Sequence, residues 1–185
     1  MLNRFLILIF FAVLPFTSCS APKAQNASGP VVVFETTQGN IEIKLFPDIA
    51  PKACENLIGL IKKKFYDGLI FHRVVKDWVI QTGDPTATGA GGKSIWGKPF
   101  ENEVNPFVKF DRKGLVGMAN AGPDTNTSQF FITTVPAPRN DMQYTLFGEV
   151  IKGYDVVDKI NKVPTDAQER PVDDQKIIRA YIKQE

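Results

Sequence analysis

The sequence predicts an all-β fold, a closed antiparallel β-barrel capped by two α-helices. Three observations point there. Short runs of β-branched and aromatic residues recur along the chain, Gly, Pro, Asn and Asp separate them, and a helical apolar period appears only twice. The 185 residues suit one domain, and 43% hydrophobic residues with 14 Phe supply enough apolar surface for a core.

Val31–Thr36 is a β-branched and aromatic run, and Thr37–Asn40, with Gly39, reads as a turn. Ile41–Phe46 alternates apolar Ile41, Ile43 and Leu45 with Glu42 and Lys44, so the two runs form a hairpin with one buried face. Pro47 and Asp48 break the strand. Pro51 suits the first position of a helix, on which Ala50, Cys54, Leu57, Ile58 and Ile61 form one stripe. Lys62–Lys64 then provides cations in its last turn. Leu69–Val75 reads as a strand with Phe71, Arg73 and Val75 on one face and Ile70, His72 and Val74 on the other. Trp78 and Val79 share a surface only if the chain bends between them, after which Val79, Gln81 and Gly83 fall on one face.

Thr86–Gly97 holds Gly89, Gly91, Gly92 and Gly97 and, taken alone, reads as a mobile surface loop. Its Gly92-Lys93-Ser94 does not fit a phosphate-binding loop. Leu115–Asn120, Gln129–Val135 and Thr145–Ile151 read as further strands. Tyr154–Asn161 has Val156, Val157 and Ile160 on a helical stripe, Val163–Asp174 is a polar loop, and Ile177–Ile182 closes the chain as a strand.

The first residues read as an address. Arg4 precedes the apolar run Phe5–Phe16, whose twelve residues rise about 18 Å as a helix, short of the roughly 30 Å hydrocarbon core. That is the length of a signal peptide. Thr17-Ser18-Cys19 resembles a bacterial lipobox, with Phe16 where that pattern usually has Leu. The expected division is a signal peptide over 1–18, a lipidated Cys19 with a small polar tether over 19–29, and one folded domain over 30–185. Several acyl chains on Cys19 would anchor the protein firmly, at about 0.8 kcal/mol per buried CH₂. The expected location is the cell envelope, facing the periplasm, with the outer membrane favoured in a Gram-negative source because Ser20 follows Cys19. Ordinary cleavage would instead leave a soluble exported protein.

Composition excludes several classes. The formal net charge is +2, and residues 1–18 hold one base, Arg4, and no acid, so the chain from Cys19 carries +1. Nucleic-acid binding needs a concentrated basic patch, and none is present. Cys54 is left alone after Cys19, so it reads as a small buried hydrophobe rather than half of a disulfide. No Cys/His cluster points to a metal, and no cofactor is implied. His72 is the sole histidine, and facing away from Arg73 it supports no Ser-His-Asp site.

Six blocks then occur in order: Phe71-His72-Arg73, Gln81-x-Gly83-Asp84, Gly91-Gly92-Lys93-Ser94-Ile95, Met118 to Pro123, Asn126-x-Ser128-Gln129-Phe130-Phe131-Ile132 and Phe147-Gly148. Together they resemble the cyclophilin family of peptidyl-prolyl cis-trans isomerases over about residues 30–183. The resemblance implies an eight-stranded antiparallel barrel with a helix at each end and a substrate groove outside it. It implies that Arg73 and Gln81 are catalytic and that Trp78, Val79, Gly89, Ala119, Asn120, Gln129, Phe131, Asn140 and Tyr144 bind substrate. Trp78 stands where Phe is usual, Val79 where Met is common, Arg139 where many members have Trp or Phe, Asn140 where Leu closes the proline pocket, and Tyr144 where His is common. The implied partners are proline-containing peptides or unfolded exported chains, met by a monomer. A binding module without turnover, or a ligand-carrying barrel of lipocalin type, are the competing readings.

Overall fold

The computed structural model describes residues 29–184. The expected signal peptide, Cys19 and all of the tether but Gly29 lie outside them.

β1 (Val31–Thr36) and β2 (Gly39–Leu45) form the expected hairpin, running from Val31 opposite Lys44 to Thr36 opposite Gly39. The Thr36 hydroxyl closes the turn by donating to the Gly39 carbonyl at 2.7 Å and accepting the Gln38 N–H at 3.1 Å. α1 (Pro51–Lys62) begins at its proline and buries Ala53, Cys54, Leu57, Leu60 and Ile61. Its free N-terminal amides at Lys52 and Ala53 donate to the Glu103 carboxylate at 3.0 and 2.9 Å, so a distant loop caps this helix where its dipole favours an anion. The Cys54 thiol faces the Phe147 carbonyl at 3.5 Å, and burial pushes its pKa up to about 12. It is a packing residue.

The remaining elements are β3 (Arg73–Val75), β4 (Val79–Thr82), β5 (Leu115–Met118), β6 (Phe130–Thr133), β7 (Leu146–Lys152), α2 (Tyr154–Asn161) and β8 (Ile177–Ile182). A short 3₁₀ turn spans Pro138–Asn140. All strand pairs are antiparallel, in the order β3-β4-β6-β5-β7-β2-β1-β8.

The expected closure is corrected by this order. The eight strands form a curled sheet open between β3 and β8, not a closed barrel. The chain ahead of β3 meets the start of β8 through the Ile70–Lys176 bridge, with the Gly68 and Phe71 N–H groups donating to the Ile177 and Gln175 carbonyls at 2.8 and 2.9 Å and the Ile177 N–H donating to the Leu69 carbonyl at 2.8 Å. Beyond that point β3 has another partner, because the Val74 N–H donates to the Glu169 carbonyl at 2.7 Å. The polar 163–174 loop therefore occupies the edge that β8 would need.

The expected strand over Leu69–Val75 is also shorter. Pairing with β4 starts only at Arg73, and Phe71 packs in the same core as Val74 instead of sharing the face of Arg73. The alternation breaks at His72.

Side chains fill the inside of the sheet. Phe34, Tyr66, Phe130 and Phe147 meet mainly edge to face, with Phe34–Tyr66 and Tyr66–Phe130 centroids each 5.7 Å apart, a geometry that suits aromatic quadrupoles. The buried Tyr66 hydroxyl is satisfied by the Ser128 carbonyl at 3.0 Å. This packed interior removes the ligand-carrying-barrel reading. Strand alternation then divides the sheet. Ile80, Phe130 and Ile132 join the inner core, while Val79 and Phe131 join Phe110, Leu115, Ala137 and Leu146 in a second apolar cluster outside it.

His72 is buried, and neither ring nitrogen has a hydrogen-bond partner of good geometry. Burial holds its pKa below the ordinary 6.5, against the opposing pull of Asp84 and Gln129. The unfolded chain therefore takes up this proton first as pH falls, and the stability that the neutral ring contributes is complete above about pH 6.5 and lost below it. Chemical denaturation should show a midpoint that drops between about pH 7.5 and 5.5, and His72→Gln should flatten that slope. An identical slope in the variant would count against this role.

Candidate active site

Register builds the site. Arg73 lies opposite Gln81 across β3 and β4, and Gln81 lies opposite Phe131 across β4 and β6. These three residues, from separate strands, project from the outer face at one level. Gly117 of β5 lies opposite Phe131 and gives the rings room, since a Cβ there would meet Phe131 Cζ at 2.5 Å and Phe110 Cζ at 2.9 Å.

A chain of hydrogen bonds runs through the arginine. Its Nε donates to Glu169 Oε2 at 2.7 Å, and its Nη1 donates to Gln81 Oε1 at 3.4 Å. Gln81 Nε2 donates to Gln129 Oε1 at 2.8 Å. Gln129 Nε2 donates in turn to the carbonyls of Gly89 at 3.0 Å and Gly91 at 2.7 Å. The glycine loop is thus tied down, not free as its composition suggested. Its amides at Thr86, Thr88, Gly89 and Gly91 all donate to the Asp84 carboxylate. Burial of Asp84 opposes its charge, but the Thr86 amide and hydroxyl and the Gly91 and Gly89 amides hold its carboxyl below the usual value.

On the other side of Arg73 the turn at Lys76–Trp78, with Asp77 at φ +55°, supplies the bend that Trp78 and Val79 require. The Arg73 guanidinium carbon is 5.3 Å from the Trp78 ring centre, and that of Arg139 is 3.6 Å from it. Phe131 packs against Phe110 at 5.6 Å and edge-on against Tyr144 at 5.4 Å.

The structure therefore brings Arg73, Gln81, Gln129, Phe131, Trp78, Val79 and Tyr144 into one neighbourhood. Gly89, Ala119 and Asn120 line an adjoining cleft of about 160 Å³ with Gln81 and Gln129. The Ala119 N–H is spent on the Gln129 carbonyl at 2.9 Å. The Asn120 side chain donates to the Gln143 carbonyl at 3.2 Å, while its backbone N–H and carbonyl have no protein partner among the described residues. Two expected contacts differ. Both amide hydrogens of Gln129 are engaged within the protein, so this side chain braces the glycine loop instead of offering a free donor. Asn140 is 1% exposed, held inward by the turn whose carbonyl accepts the Gln143 and Tyr144 amides.

Sequence reasoning missed Glu169, which stands 96 positions from Arg73 in a loop notable only for polarity. Its place is fixed by backbone, with φ +64° and its carbonyl on Val74, while the Asp166 carboxylate holds the Gln168 and Arg170 amides. Asp84 left a better signal, since an aspartate ahead of a glycine-rich run can anchor its amides as a nest.

Comparison with known proteins fits this geometry. The family described as cyclophilin type peptidyl-prolyl cis-trans isomerase/CLD matches residues 31–182. The chain belongs to the cyclophilin family.

This cyclophilin is 50% identical over 152 residues to human peptidyl-prolyl cis-trans isomerase-like 1, covering 82% of this chain and 92% of the relative. It is 52% identical over 151 residues to peptidyl-prolyl cis-trans isomerase 10 of Caenorhabditis elegans, covering 82% and 94%. The crystal structure of a Cryptosporidium parvum cyclophilin type peptidyl-prolyl cis-trans isomerase superposes with a TM-score of 0.82 at 38% identity, covering 84% of this chain and 98% of that one. The same protein solved in the presence of the dipeptide Ala-Pro gives 0.81.

Glu169 orients the guanidinium through Nε, so its removal should act mainly on turnover. Glu169→Ala is expected to lower kcat about tenfold with a smaller change in KM, and Glu169→Gln, which keeps an acceptor, should recover part of the loss. Equal kinetics for all three proteins would show that the ion pair only decorates the surface.

Proposed function

We propose that this cyclophilin binds a proline-containing segment on the outer face of its sheet and lowers the barrier to rotation about the X-Pro bond through Arg73. The supporting observation is the arginine itself, a permanent cation fixed by Glu169 and Gln81 beside an apolar cluster.

The chemistry asks for little else. Amide resonance sets a barrier of about 18–20 kcal/mol. Twisting the bond breaks that resonance and localises the lone pair on the prolyl nitrogen. A guanidinium beside that nitrogen favours the twisted state over the planar one, which is differential transition-state binding. Arginine suits the role because it stays charged and presents a rigid fork. Gln81 accepts from that fork and keeps its plane, leaving Nη2 without a partner among the described residues. Phe131, Val79 and Tyr144, backed by Leu146, offer the ring an apolar seat, with Trp78 and the turn that buries Asn140 forming its far side. The free Asn120 backbone can pair with the extended peptide, and Gly89 and Ala119 leave room for it along the cleft. No nucleophile, cofactor or metal enters this scheme.

The clients we propose are exported chains, met at a membrane to which Cys19 is anchored by lipid. Support comes from residues 1–19 alone: Arg4, an apolar run of signal length, and a cysteine after Thr17-Ser18. The domain carries little net charge, so attachment would depend on the lipid. The outer membrane of a Gram-negative envelope, and a monomeric state, complete this reading.

In a coupled isomerisation assay on a proline test peptide, Arg73→Ala should lose about two orders of magnitude in kcat/KM with unchanged circular dichroism. Full activity in the variant would sink the mechanism, and peptide affinity without turnover in the parent would mark a binding module. Expressed in a Gram-negative host, the full chain should take up labelled fatty acid and fractionate with membranes. Cys19→Ser should do neither. Unlabelled parent protein in the soluble fraction would refute the anchor.

A further inference from the structure

We propose that the Arg139 guanidinium, stacked on Trp78, is a subsite for a carboxylate, and that this isomerase favours peptides with an acidic side chain flanking the proline. The inference rests on the isomerase reading above and names the class of substrate that the site selects.

The Arg139 guanidinium sits over the Trp78 indole, its central carbon 3.6 Å from the ring centre. Stacking of this kind fixes the plane of the cation while leaving the N–H edges free to turn outward. Arg139 is exposed, and among the described residues its side chain makes neither a hydrogen bond nor an ion pair. Trp78 Nε1 and Asn140 Nδ2 also lack partners among the described residues, but both are fully buried, so Arg139 is the donor of this corner that a ligand can reach.

The neighbouring charges separate this cation from the catalytic one. Arg73, 5.3 Å from the same indole, is already paired with Glu169 at 2.7 Å. Asp141, the residue after the turn, is committed to Lys109 at 3.5 Å and to the Phe110 amide at 2.8 Å. Arg139 is therefore a cation of this rim whose charge no described residue compensates. A peptide seated with its proline on Phe131 and Val79 would pass within reach of it, because Trp78 precedes Val79 in the chain and packs on the same apolar cluster. A planar guanidinium edge matches a carboxylate in two parallel hydrogen bonds. A neutral amide of the same shape offers one oxygen and no charge.

The decisive comparison uses short peptides that differ only in Glu against Gln, placed either before or after the proline. Isomerisation is measured for each, and binding is measured in parallel by calorimetry. Glu should exceed Gln in affinity and in kcat/KM at one of these flanks by about two- to fivefold, the scale of a solvent-exposed ion pair. The advantage should shrink as salt is raised. Arg139→Gln should bring the ratio to one, and Arg139→Glu should turn the preference toward a peptide with Lys at that flank. A ratio of one at both flanks in the parent overturns the proposal, as does a Glu preference that survives Arg139→Gln. Calorimetry decides the subsite without turnover, whereas loss of isomerisation on every peptide would instead refute the catalytic reading.

Discussion

In the proposed mechanism a guanidinium acts on one atom of the substrate, so it cannot be left to wander, and yet it must stay at the surface where the substrate arrives. The ion pair between Arg73 and Glu169 meets both conditions. It consumes Nε, the donor nearest the backbone, and with Nη1 on Gln81 it leaves Nη2 without a partner among the described residues. An exposed pair of this kind adds little to stability, so its value lies in geometry. The same loop also takes the edge amide of β3 through the Glu169 carbonyl. The residue that orients the arginine is therefore also the one that takes the edge of β3 that β8 would need.

From that point rigidity spreads through neutral groups. Gln81 and Gln129 pass hydrogen bonds from the arginine to the carbonyls of the glycine loop, and Asp84 collects the loop's amides from behind. Each amide side chain has its donors and acceptors largely assigned, which fixes its rotamer. A preorganised site of this kind needs no rearrangement when charge develops in the twisted imide. The opposite side of Arg73 is built otherwise. There Val79, Phe131 and Leu146 are nearly covered, and an indole lies beneath a second guanidinium. One flank is thus polar and saturated, and the other is apolar with donors still unspent.

Much of the fold was legible because strand alternation and helix stripes are local. Both helices begin where Pro51 and Tyr154 predict, and the hairpin of β1 and β2 follows from the alternation of Ile41, Ile43 and Leu45 around Gly39. The exceptions had nonlocal causes. Phe71 left its expected face because the chain before Arg73 follows the residues ahead of β8 instead of β4. The glycine loop looked mobile because its anchors, Asp84 and Gln129, act through backbone groups that composition does not display. Gln129 looked like a free donor because nothing in its sequence neighbourhood announces the carbonyls of Gly89 and Gly91.

The sequence by itself determined the family, the identity of the cation and the sharing of one face by Val79 and Gln81, since a period of two and an ordered set of motifs require no coordinates, whereas strand register brought Arg73, Gln81 and Phe131 to one level. Tertiary structure alone decided which groups hold that cation, how the glycine loop is braced, where the sheet stays open, and which donors at Trp78, Arg139 and Asn140 lack partners. The physical reason is that hydrogen-bond pairing is settled by approach in space. Glu169 and Arg73 acquire a relation only when the edge of β3 draws the intervening loop against it.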